Sequence, residues 1–194
     1  MMKNLNAPLP PPMLLAIAYA PRPVRARLAW LLSLDRRLAD VLTRASEPMI
    51  AQLRLSWWRD ALKTAPDKRP KGEPLLAQLN EIEPDGSVTA AGLELVDAYE
   101  ILATASDFLE QDNARKLRVL AITEAYKIWN TCAASKDSPF GQIVSWWLNP
   151  TGPMPKSLPR MLRPLTILAL AEHLESSQSP TSPIRLNWHA LTGR

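Results

Sequence analysis

Apolar residues recur every three or four positions along most of this chain, and polar clusters or prolines interrupt the pattern at intervals. Val24, Leu28, Leu31, Leu34, Leu38 and Val41 fall on one face of a helix from about Val24 to Thr43. Ser46-Glu47-Pro48 then opens a second helix. The serine hydroxyl can cap a free backbone N–H, the glutamate complements the helix dipole, and proline fits a first turn. Leu75, Leu76, Leu79 and Ile82 predict a short helix. Ser87 is placed to cap the next one, Val88 to Ala105, which buries Leu93, Val96, Tyr99 and Leu102. Polarity rises over Ser106 to Asn113, so a break is expected there. A further helix runs to about Ala133, with Leu117, Leu120, Ala121, Ala125, Ile128 and Cys132 as its inner stripe.

Ser138-Pro139 repeats the cap-and-first-turn signal and starts a helix that holds Ile143, Val144, Trp146, Trp147 and Leu148 until Asn149-Pro150 stops it. Adjacent helical residues point about 100 degrees apart, so one tryptophan of each pair, Trp57-Trp58 and Trp146-Trp147, is expected to be exposed. Arg160 to Glu175 is the last strong helix, with Met161, Leu165 and Leu168 facing inward. The stretches 65–74 and 151–159 read as loops, and Lys68, Arg69 and Lys71 in the first of them read as solvated surface. Residues 1–12 and 176–183 are expected to be flexible, with 184–191 a small closing element. The pattern predicts an all-α, single-domain helical bundle over residues 1–194.

Composition agrees. Proline is abundant, at 19 residues, and glycine scarce, at 6, which suits helices joined by proline-marked corners and argues against a β-sandwich. The net charge of +4 permits anionic partners without selecting one, and the basic residues are too scattered for a nucleic-acid stripe. One cysteine, Cys132, excludes an intrachain disulfide and fits a reducing cytoplasm. Met13 to Ala20 is short, follows four prolines and has a single preceding lysine, so it reads as an opening helix rather than a signal peptide. No stretch approaches the roughly 20 apolar residues of a membrane span. Contact with a membrane surface stays open.

Ser46-Glu47-Pro48-Met49, followed by Gln52-Leu53-Arg54-Leu55-Ser56-Trp57-Trp58-Arg59-Asp60-Ala61-Leu62, resembles the squalene/phytoene synthase family. The likeness is greatest to its short proteobacterial members and to the related mitochondrial factor that assists complex I assembly. Trp188-His189-Ala190-Leu191-Thr192-Gly193-Arg194 is similar to the C-terminus of the short members. The resemblance implies a truncated isoprenoid-synthase-like fold. For active members it also implies two Asp-rich DxxxD motifs on facing helices, which hold magnesium against a prenyl diphosphate.

This sequence contains no Asp-x-x-x-Asp. Asp35 and Asp40 stand where the first motif belongs, but five helical steps leave them about 140 degrees apart around the axis. The region of the second motif has no acidic pair at usable spacing. Asp35, Asp40 and Asp97 are the carboxylates a catalytic version would use. Glu94 and Asp97, three residues apart on an acidic face that Glu100 continues, are the nearest approach to a metal site. Arg54, Trp57, Trp58 and Arg59 form a substrate- or partner-binding set, since arginine beside tryptophan can stack or grip a phosphate. The plainer reading has the tryptophans packing and the arginines pairing with Asp60 or Glu47. His173 and His189 stand outside any metal-ligand frame, and Cys132 reads as a buried, inert thiol.

The favoured expectation is a non-catalytic squalene/phytoene synthase-like protein. It keeps the scaffold to bind a protein partner, a membrane surface or a prenyl lipid, in the cytoplasm or at a membrane periphery. The alternative is an active head-to-head prenyltransferase using magnesium.

Overall fold

Proline sets where helices begin. In a computed structural model that describes residues 9–83, 85–131, 138–150, 152–156 and 158–176, α1 (Pro11–Tyr19), α2 (Arg22–Arg44), α3 (Pro48–Lys63), α4 (Pro74–Ile82) and α7 (Pro139–Leu148) each carry proline in the first two positions. A first-turn proline loses no hydrogen bond, and its fixed φ is already helical. Helix α8 (Arg163–Ser176) likewise has Pro164 as its second residue, and the remaining helices are α5 (Ser87–Thr104) and α6 (Phe108–Asn130), with 3-10 turns at Pro66–Lys68 and Arg160–Leu162. No strand occurs among the described residues.

Helix α5 is the hub and packs against α2, α3, α4 and α6. Helix α1 lies on α8 and α2, and α7 bridges α6 and α8. One contiguous apolar cluster joins Leu28, Leu31 and Leu38 of α2 to Leu55 of α3, Leu95 of α5, Ile122 of α6 and Leu165 of α8. Contact between α2 and α5 is close. A Cβ on Gly92 would sit 2.9 Å from the Trp30 ring, so glycine is what lets α5 reach the indole. The other edge of that indole is held by its Nε1, which donates to the Leu75 carbonyl at 2.7 Å.

The structure corrects several details. The Ncap of α3 is Glu47, without a side-chain bond, and not Ser46. The Ncap of α5 is Gly86, at φ 83, and not Ser87. There Glu83 accepts from the Thr89 and Val88 amides, while Ser87 Oγ accepts from Trp129 Nε1. Helix α1 begins at Pro11, inside the stretch expected to be flexible, and Leu9 and Pro10 lead straight into it.

Of the expected inner stripe of α6, Ala121 and Ala125 are buried, but Leu120 and Ile128 are not. Val119, Ile122, Tyr126 and Trp129 point inward at helical spacing, and Leu120 and Ile128 face out, at 36% and 59% exposure. Met161 is likewise 36% exposed, although its carbonyl accepts from the Tyr126 hydroxyl. Trp146 and Trp147 are both buried, because α7 is short and covered on two sides by α6 and α8, whereas in the α3 pair only Trp58 is. Arg69 is buried too. It donates to the Thr64 and Leu62 carbonyls at the end of α3 and to Asn80 Oδ1 of α4. Cys132, His189, the closing element 184–191 and residues 177–183 lie outside the described residues.

Candidate functional site

Five helices bring polar side chains to one wall of an otherwise apolar cavity of about 540 Å³. Helix α2 supplies Asp35 one residue from Leu34, so the carboxylate lies beside the core face and is itself buried. Helix α5 supplies Tyr99, α6 supplies Arg115 and Arg118, α7 supplies Trp147, and α8 supplies Glu172. Apolar walls come from Met13, Leu32, Leu42, Leu102, Ile122 and Leu168.

Two carboxylates that line this cavity, Asp35 and Glu172, are each neutralised by arginine. Arg118 grips Asp35 bidentately, with Nε on Oδ1 and Nη2 on Oδ2, both at 2.7 Å. The Tyr99 hydroxyl donates to the same Oδ1 at 2.9 Å. Glu172 accepts from Arg115 Nε at 2.5 Å, from Trp147 Nε1 at 3.1 Å and from Arg118 Nη1 at 3.3 Å. Arg115 also donates to the Trp147 and Leu148 carbonyls, which ties the end of α7 to α6. The result is a closed network of two cations, two anions, a phenol and an indole. Burial works against the charge on Arg118, yet Asp35 holds its pKa well above the ordinary guanidinium value. Burial, and then the Asp35 charge, push the Tyr99 hydroxyl far up, so it stays a neutral donor.

The other sequence candidates lie elsewhere. Asp40 points away from Asp35 and pairs with Arg36 and Arg44, at 3.2 and 3.4 Å. Asp97 and Glu100 sit on the α3-facing side of α5, where Arg59 bonds both, at 2.5 and 2.6 Å. Arg59 therefore pairs across helices rather than with Asp60 or Glu47. Its pKa is raised first by the hydrogen bond to Glu100 and also by Asp97, against the pull of burial. Glu94 is outside the lining of the large cavity. Arg54 and Trp57 are exposed and line a separate groove of about 260 Å³ with Trp58, Arg37 and Arg44. His173 packs edge-on against Trp146 at 5.5 Å.

A magnesium cluster needs oxygen ligands from facing helices that are free to converge. Here Asp35 is bound on both oxygens by Arg118, Asp40 is turned to Arg36 and Arg44, and Glu172 is held by two arginines. No group of three or more His, Cys, Asp or Glu that could hold a metal occurs among the described residues. This donor set does not fit the group.

Arg115, Arg118 and Glu172 belong to no motif in the sequence. Their signal was present but easy to misread: Arg118 stands midway between Ala114 and Ile122 at steps of four, a charge set into the true inner stripe of α6.

An all-α bundle around an apolar cavity with a charged wall is the architecture of an isoprenoid-synthase-type fold. The sequence profile described as squalene/phytoene synthase matches residues 12–125, more than half of the chain, from α1 almost to the end of α6. The chain belongs to the squalene/phytoene synthase family. No curated protein and no solved structure matches it. No helix among the described residues is long and apolar enough to cross a membrane.

Proposed function

We propose that this chain is a non-catalytic squalene/phytoene synthase-like protein that holds the apolar tail of a prenyl lipid in its central cavity. The supporting observation is the pairing of Asp35 with Arg118. The carboxylate best placed to serve a metal is committed to a bidentate ion pair, while the apolar walls around it remain open to a ligand. A cavity of about 540 Å³ is within the range of roughly 300–1,000 Å³ typical of small-molecule sites. Removing an apolar chain from water drives such binding at about 25 cal/mol per Å². Without bound magnesium a leaving diphosphate is poorly stabilised, so the scaffold retains binding and loses ionisation.

The test mixes purified protein with farnesyl and geranylgeranyl diphosphate, with and without magnesium, and reads both binding heat and released diphosphate. Saturable binding without magnesium and without release is expected. Ala39→Trp, which places a large ring in the cavity, should abolish that binding. Magnesium-dependent release, abolished in Asp35→Asn, would establish the active transferase instead. Absence of any binding by folded protein would remove the lipid-holding role.

A further inference from the structure

The charges on the wall of the central cavity cancel. Asp35, Glu172 and Glu175 line it together with Arg36, Arg115 and Arg118, three carboxylates against three guanidiniums, and no lysine joins them. Two of the arginines are also fully engaged. Arg118 places Nε and Nη2 on Asp35 and Nη1 on Glu172. Arg115 places Nε on Glu172, Nη1 on the Leu148 carbonyl and Nη2 on the Trp147 carbonyl. Each of these six nitrogens carries a bond, so neither guanidinium can swing toward a phosphate without breaking one to a carboxylate. The Tyr99 hydroxyl and the Trp147 indole N–H are likewise spent on Asp35 and Glu172. One donor is left over. Arg36, next along α2 from Asp35, lines the same cavity, and its Nε is buried with no hydrogen-bond partner among the described residues.

We propose that the lipid held in this cavity carries an uncharged oxygen head, a hydroxyl or a carbonyl, in place of a diphosphate, an inference that rests on the reading of the cavity as a prenyl-lipid site. A diphosphate brought to this wall would give up water to face as many carboxylates as arginines, and an anion buried without a free cation is strongly disfavoured. A neutral oxygen has far less hydration to lose and needs one hydrogen bond, which Arg36 Nε is left to donate. The charge of Arg36 is itself met by Asp40, at 3.2 Å. A prenyl diphosphate can still bind through its chain, with its head left in water.

Equilibrium dialysis of full-length protein, with magnesium present or chelated, measures radiolabelled farnesol against farnesyl diphosphate below the concentrations at which either self-associates. Farnesol should bind at least about fivefold more tightly in both buffers. A farnesylated benzoquinone run in parallel tells a carbonyl head from a hydroxyl, and tighter binding than the diphosphate by either one supports the proposal. Arg36→Met, in protein that melts with the parent, should weaken farnesol about threefold to tenfold. It should leave farnesene, the same chain without the oxygen, unchanged. Diphosphate binding as tight as that of both neutral lipids, in either buffer, overturns the proposal and leaves the lipid-holding reading standing. Equal effects of Arg36→Met on farnesol and farnesene, including none, also overturn it. Binding of none of the four ligands by folded protein removes the lipid-holding reading itself, and this inference with it.

Discussion

Asp35→Asn removes one negative charge and almost nothing of the side chain's shape. The Asp35 side chain is 2% exposed and that of Arg118 24%, so the substitution strands a guanidinium in a mostly covered site. The carboxylate charge behind both 2.7 Å bonds is lost, the asparagine carbonyl keeps one acceptor, and its NH2 group is brought against an arginine donor. Breaking a buried pair this way costs about 3–5 kcal/mol. Arg118 keeps Glu172 at 3.3 Å and borders an open cavity that admits water, so the lower end is expected, about 3 kcal/mol. For a chain of this size that lowers the melting temperature by about 6–12 °C. Urea unfolding followed by circular dichroism measures the change, with an unaltered slope as the check that the unfolded state is unaffected. The companion variant Asp35→Leu with Arg118→Met replaces both partners by apolar groups. It should be more stable than either single change, with a coupling of about 2 kcal/mol or more. A loss below about 0.5 kcal/mol for Asp35→Asn, or strictly additive single and double variants, would refute the ion pair as the organiser of this wall.

Tyr99→Phe removes only the third bond to Asp35 and should cost about 1 kcal/mol at neutral pH. Because the folded hydroxyl titrates above its unfolded value of about 10, stability should fall as pH rises past that point, and the phenylalanine variant should flatten the decline. The Glu94 carboxyl is pushed up, first by burial and then by Glu124 and Asp97. The folded form thus binds its proton more readily, and stability is lost as pH rises from the ordinary carboxylate range. Glu94→Gln should therefore melt higher than the parent at pH about 7 and equal it below about 4. Arg69→Ala, which frees the carbonyls of Leu62 and Thr64, should cost about 2–3 kcal/mol in chemical denaturation. Arg69→Lys should not restore it, since an ammonium cannot span those carbonyls and Asn80 together.

Local chemistry determined much of this protein before any tertiary contact. Proline stands in the first two positions of six described helices, because a ring-locked φ and a missing N–H cost nothing in a first turn and about 3 kcal/mol deeper in a helix. The apolar period of α2 identified Leu28, Leu31, Leu34 and Leu38 as core. The five-residue step from Asp35 to Asp40 placed the two carboxylates on different sides of α2, and in the structure they take different partners. What Asp35 does was decided elsewhere. Its partner Arg118 is 83 residues away on α6, and Tyr99 is 64 away on α5. No local period encodes a pairing across that separation. The phase of α6 was likewise settled by its neighbours. α6 carries apolar residues on two faces, and only packing against α5 and α7 selects Val119, Ile122 and Tyr126 over Leu120 and Ile128. Arg69 shows the same limit at a smaller scale: a basic residue in a polar loop is solvated by default, and it is buried here because three helix segments converge on its donors. Helix boundaries depend on a few adjacent residues and so are written locally, whereas the partner of a charge depends on which helices are folded against it.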